Sequence, residues 1–156
     1  MPVIDPSAAP FEASTPEDDD RLGAYHWFKL GDAGGLTQFG ANLQTLEPGS
    51  WSSDAHWHEA EDEFVYVTDG TVTLHETFRE GERVSDVPAG GAIAFRAGDP
   101  VGHTLENRSD RPATFLVIGT RAARDVIHYT RRDRIATRTN GVRVVTDRQG
   151  RPVAED

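Results

Sequence analysis

From Tyr25 to Tyr129 turn-forming residues interrupt the chain so often that only short strands fit between them. The breaks "GDAGG", "EPGS", "TDG", "REGE", "PAGG", "AGDPVG" and "NRSDRP" each hold Gly, Pro, Asn or Asp. These residues supply a positive φ or a fixed turn. Between them lie "YHWFK", "LTQFGANLQTL", "HWH", "EFVYVT", "TVTLHETF", "RVSDV", "AIAFR", "HTLEN", "TFLVIGT" and "VIHYT". No stretch keeps a 3.6-residue apolar period for three turns, and the best helix candidate, "TRAARDVI", is short. Strands of this number and spacing predict an all-β fold, either a closed barrel or a two-sheet jelly roll.

The 156 residues suffice for one domain with its own core. The net charge of −10 argues against nucleic acid as a partner, because phosphate recognition needs a basic footprint. Without Cys there is no disulfide frame, no thiolate nucleophile and no Cys-based metal site. No apolar run approaches the ~20 residues of a membrane span, so no membrane partner is expected. The first 20 residues carry no Lys or Arg and no apolar h-region. They do not read as a secretory signal, and the expected location is cytoplasmic.

Charge is unevenly spread. Residues 1–119 have a net charge of −14 and residues 120–156 a net charge of +4, with every base in the latter an Arg. Residues 1–22, proline-rich and ending in the acidic run Glu17–Asp20, read as an extended arm. Residues 23–130 read as the barrel, and 131–156 as an Arg-rich tail. Val126, Ile127 and Tyr129 can anchor the tail, and "TNGVRVVTD" reads as a turn and an added strand, with order to about residue 145. A jelly roll leaves unpaired sheet edges. The arm and "YHWFK" are available to cover them across a two-fold axis, so a homodimer is expected.

The segment "HWHEAEDEFVYVTDG" carries the chemistry. His56 and His58 are spaced i, i+2, and on a strand they project from one face. Glu63 opens the next apolar run, and His103 follows the Gly-rich "AGDPVG". Three imidazoles and one carboxylate on rigid strands suit one divalent first-row ion with open coordination positions; Fe, Mn, Zn and Ni all qualify. The neighbouring acids Glu59, Glu61 and Asp62 read as solvated turn residues. Trp57 and Tyr66 fall on the opposite strand face from the ligands. His26 and His75 have no partner in the pattern.

These residues resemble a family. The first cupin motif is G-x5-H-x-H-x3–4-E-x6-G, and here Gly49, His56, His58, Glu63 and Gly70 follow it, with six residues instead of five after Gly49. The second motif is G-x5-P-x-G-x2–4-H-x3-N. Gly90, Gly98, His103 and Asn107 follow it, with Arg96 in place of the proline. The chain resembles a small single-domain bacterial cupin over roughly residues 36–119. The resemblance implies a double-stranded β-helix (jelly-roll) barrel with His56, His58, Glu63 and His103 as metal ligands inside it. It also implies turn roles for Gly70 and Gly98 and a structural role for Asn107.

Arg96 is a candidate cation for a substrate carboxylate or phosphate. The hydrolase, Walker A and dinucleotide signatures are missing. The expected function is a metal-dependent enzyme acting on a small organic substrate, by dioxygenation, sugar isomerisation, or lyase or decarboxylase chemistry. The alternatives are a non-catalytic small-ligand binder or sensor, and a structural barrel that has lost its chemistry.

Overall fold

The structure is a computed structural model that describes residues 3–15 and 21–153; the acidic run Glu17–Asp20 lies outside them. Thirteen strands form among the described residues. They are β1 (Phe11–Ser14), β2 (Tyr25–Lys29), β3 (Phe39–Leu46), β4 (His56–His58), β5 (Glu63–Asp69), β6 (Thr71–Phe78) and β7 (Gly81–Pro88), then β8 (Ala92–Phe95), β9 (Gly102–Glu106), β10 (Ala113–Thr120), β11 (Arg124–Tyr129), β12 (Arg134–Thr139) and β13 (Val142–Thr146). A single helical turn, α1 (Leu30–Ala33), joins β2 to β3.

The strands make two antiparallel sheets, in the orders β1-β2-β3-β10-β5-β8 and β13-β12-β11-β4-β9-β6-β7. From β3 to β11 the chain crosses repeatedly between the sheets, which is the jelly-roll winding the turn pattern predicted. The alternating residues of the inner faces meet as the core: Leu46, Val65, Val67, Val72, Leu74, Leu105, Ala113 and Phe115.

Three segments depart from the sequence reading. "TRAARDVI" is not helical. Its second half is β11, which pairs with β4 on one side and β12 on the other, and two ladders outweigh a weak local preference. The N-terminal arm is partly packed: β1 pairs with β2 of the same chain and Ala9 is buried. "RIATRT", read as part of an Arg-rich tail, is β12, and it extends the second sheet together with β13. The two-residue turn between them, Asn140–Gly141, has φ of 49° and 82°, the doubly left-handed geometry that favours Asn-Gly in hairpins.

Two motif residues have structural work. Gly70 has φ of 75°, and a Cβ there would lie 2.9 Å from the Pro112 carbonyl oxygen, so only glycine fits the β5–β6 turn. Asn107 is fully buried. Its amide donates to the carbonyls of Leu46 and Arg111, at 2.8 and 2.9 Å, and its oxygen accepts from the Ser109 N–H and hydroxyl. Asn107→Ala strands these groups and should cost about 2–4 kcal/mol. For a chain of this size that lowers the thermal midpoint by roughly 5–15 °C. Metal content per folded molecule should not change, and a loss of metal at full stability would contradict the structural role.

Candidate metal centre

Strands β4 and β9 are adjacent in the second sheet, and His56 stands directly opposite His103 in their register. Glu63 opens β5 in the facing sheet, beside Phe95. The inter-sheet space thus receives imidazoles from one side and a carboxylate from the other. Ligating atoms of His56, Glu63 and His103 lie within 4.8 Å of one another. His103 Nε2 is 2.9 Å from Glu63 Oε2, and His58 Nε2 is 3.8 Å from the same oxygen. Three of the four residues singled out by spacing, His56, Glu63 and His103, therefore form one cluster, and His58 approaches it through Glu63.

The second ring nitrogens are engaged elsewhere. His56 Nδ1 lies 2.7 Å from the Asp54 carbonyl oxygen, and His58 Nδ1 lies 2.6 Å from Asp125 Oδ2. His103 Nδ1 faces the Val101 carbonyl more distantly, at 3.4 Å. A carbonyl or carboxylate can only accept, so in the neutral rings of His56 and His58 Nδ1 carries the proton, whereas His103 donates from Nε2 to Glu63. That leaves the Nε2 atoms of His56 and His58 with lone pairs, and a metal arriving between Glu63 and His103 would take the place of the His103 Nε2 proton. Phe95 stacks on His103 at 3.5 Å and fixes its ring plane.

The electrostatics suit a cation. Lost hydration, then the neighbouring His103 and His58, lower His56 to about 4 against the opposing pull of Glu63. Burial would raise the Glu63 carboxyl, but the His103 hydrogen bond and the three imidazoles outweigh it and hold it at about 2. At neutral pH the cluster is a carboxylate beside a neutral His56, the protonation state metal ligation requires. This donor set fits a divalent first-row ion.

The same shifts set the acid stability of the metal-free protein. As pH falls from 6.5 to about 4, the unfolded chain protonates its counterpart of His56 before the folded chain does. Between about 4.5 and 2 the same holds for Glu63. Both contributions are present at neutral pH and lost on acidification, with a ceiling of about 3 kcal/mol each because both groups keep some solvent access. The chelator-treated protein should melt at steadily lower temperature from pH 7 to 4, and His56→Asn should flatten that limb. A pH-independent midpoint over this range would contradict the burial of His56.

Other positions divide clearly. Arg96 is exposed just after β8 and lines a surface cavity with Asp62, Glu63, Phe64, Phe95 and Ile118. Trp57 faces away from the cluster and stacks on His128 at 4.2 Å, and Tyr66 is exposed. His128 Nε2 pairs with Glu59 at 2.8 Å.

Two expectations are corrected. Glu61 is not a solvated turn residue: it is buried, accepts from the Ala122 N–H at 2.8 Å and pairs with Arg138 of β12. His75 has a partner: it is buried against Trp51, with Nε2 2.8 Å from Glu106.

Asp125 escaped the sequence reading. It is fully buried, holds His58 through Oδ2 and accepts from the Ala60 N–H through Oδ1. Its strand alternation, with Ile127 and Tyr129 on one face, was the available signal. His58, Glu61 and Asp125 form a second acidic cluster, but both carboxylates there already hold hydrogen bonds.

The Cupin domain family model matches residues 42–119, which span both histidine motifs. The chain belongs to the cupin superfamily. A sugar phosphate isomerase of this superfamily from Silicibacter pomeroyi DSS-3 is 38% identical, with a TM-score of 0.85 over 98% of this chain and 97% of that one. A provisionally named sugar phosphate isomerase from Acidithiobacillus ferrooxidans is 27% identical, with a TM-score of 0.79 over 96% and 92%. A predicted oxalate decarboxylase from Thermotoga maritima, 21% identical with a TM-score of 0.61 over 77% and 99%, shares the fold. No curated protein matches. This cupin has no described helix long and apolar enough to cross a membrane.

Proposed function

We propose that this cupin is a metal-dependent isomerase of a small hydroxylated carbonyl compound of the sugar type. His56, His58, Glu63 and His103 would hold one divalent ion. The observation that carries the reading is the cluster of His56, Glu63 and His103, with His58 Nε2 3.8 Å from the same carboxylate. Such an ion supplies Lewis acidity, which polarises a carbonyl and acidifies the adjacent carbon.

The protein's own residues provide the setting. Val65, Phe95, Leu105, Phe115 and Val117 form the apolar side of an inner cavity of about 130 Å³ beside His56, Glu63 and His103, and Gln44, Ser52 and Thr104 its polar side. Of the three reaction types open at the sequence level, isomerisation is favoured by the 38% identical sugar phosphate isomerase, which matches almost the whole chain. The decarboxylase likeness speaks only to fold.

Elemental analysis of the native protein should find a divalent transition metal. The metal-loaded protein should interconvert aldoses and ketoses in a panel including their phosphates, with solvent deuterium exchange at the carbon next to the carbonyl. Chelation should abolish both. A stoichiometrically metallated protein that turns over no member of the panel would refute the isomerase reading and leave a ligand-binding cupin.

A further inference from the structure

The first sheet is apolar on both of its faces. Its inner face supplies Leu46, Val65, Val67 and Phe115 to the core. Its outer face carries a row that crosses all six strands in register: Phe11, Phe28, Leu43, Leu116, Tyr66 and Ala92. A second row, one pleat along, holds Ala41, Ile118, Phe64 and Ala94. Phe11 is 55% exposed, and Phe64 and Tyr66 are each 40% exposed. An antiparallel sheet with one solvated face alternates apolar and polar side chains, whereas "FVYV" of β5 is apolar on both sides.

The second sheet shows what a solvated face of this chain looks like. On the face opposite Val72 and Leu74, strands β6, β7 and β9 carry Glu82, Asp86 and Glu106. On the first sheet none of the positions in the two rows is Asp, Glu, Lys or Arg. The same is true of a third row, Ala13, His26, Thr45 and Thr114. β1 widens this face, because Phe11 packs on Phe28 with ring centroids 5.2 Å apart.

We propose that this outer face docks on the same face of a second copy of the chain, making a two-fold dimer with the first sheets back to back. Two observations select a second copy. The first is charge. Chains of net charge −10 repel, and across a two-fold axis an acid on the face would meet acids of its own kind. The uncharged rows are the part of the surface where two copies can meet without that cost. The second is area. The fourteen positions of the three rows, at about 33 Å² of sheet each, project to about 450 Å². Protruding rings raise the accessible area towards the ~800 Å² that a standard stable interface takes from each partner.

The face also touches the metal cluster. A cavity of about 340 Å³ between Phe64, Ala94 and Ile118 reaches Glu63 and Phe95, and the two charges lining it, Asp62 and Arg96, cancel. A second copy seated over these residues covers the Glu63 side of the cluster. The dimer is independent of the isomerase reading.

Light scattering of the full-length protein at micromolar concentration should give twice the chain mass. Phe64→Glu and Tyr66→Glu each place an acid on the face, and each should raise the dimer dissociation constant a hundredfold or more, with circular dichroism unchanged. Val144→Glu, on an exposed position of β13 in the other sheet, should leave the dimer intact. Because the chain has no Cys, one introduced thiol reports the face even if an acidic variant folds poorly. At dimer-forming concentration Ala94→Cys should react with a thiol reagent at least tenfold more slowly than Val144→Cys, and dilution to monomer should remove the difference. A monomeric wild type, whose face would then serve another protein or a lipid surface, overturns the proposal. So does undiminished dimerisation of folded Phe64→Glu and Tyr66→Glu, a dimer broken by Val144→Glu, or equal labelling of the two thiols.

Discussion

His103→Ala should empty the metal centre while leaving the barrel folded. His103 supplies the Nε2 nearest Glu63, at 2.9 Å, and stands opposite His56 in the ladder. Loss of an outer partner of a ligating histidine already costs metal sites about 10–100-fold in affinity, and loss of the ligand itself should cost more. Metal per protein should therefore fall below about a tenth of the wild-type value after dialysis, and turnover with it. The fold should survive because the core of Leu46, Val67, Val72, Leu105 and Phe115 lies beyond the imidazole, although truncation leaves Phe95 without its stacking partner. Elemental analysis and far-ultraviolet circular dichroism on one sample separate the two effects. Asp125→Asn offers a graded comparison. It keeps the shape but replaces the carboxylate facing His58 Nδ1, and should weaken metal by the 10–100-fold of an outer partner. Wild-type metal content in folded His103→Ala would remove the basis for the centre.

The parts of this molecule legible in its sequence are those encoded locally. Most strands follow from turn residues at each end, and the shared face of His56 and His58 follows from their i, i+2 spacing alone. Glu63 and His103 needed the glycine spacing of both motifs, because nothing local says that β5 and β9 meet β4. What stayed hidden depends on long-range register. Asp125 reaches His58 across 67 positions and Glu61 meets Arg138 across 77, so a buried carboxylate looked like a solvated one. β12 was missed because "RIATRT" is mostly polar. Its pairing with two neighbours, not its composition, makes it a strand.

Deleting everything after Gly119 should be far more damaging than screening the charges of that segment. Residues 120–156 supply β11, β12 and β13, three of the seven strands of the second sheet. They bury Val126, Ala136 and Val145, and each buried valine contributes about 1.5–3 kcal/mol. Without β11 the β4 strand loses its partner on one side, and with it goes Asp125. The ion pairs to the body are weaker holds. Arg131–Glu82, at 3.0 Å, is largely exposed and worth about 0–1 kcal/mol, and Arg138–Glu61 is the better shielded contact. Salt at 1 M shortens the screening length to about 3 Å but leaves apolar burial and the ladders in place. The full-length protein should therefore lose only a few degrees of thermal midpoint between low and high salt. The truncated chain forfeits an amount comparable with the ~5–15 kcal/mol that holds a domain folded. It should show no cooperative melting transition and no stoichiometric metal. Equal midpoints for the two chains would show instead that β11–β13 are passengers on a barrel complete without them.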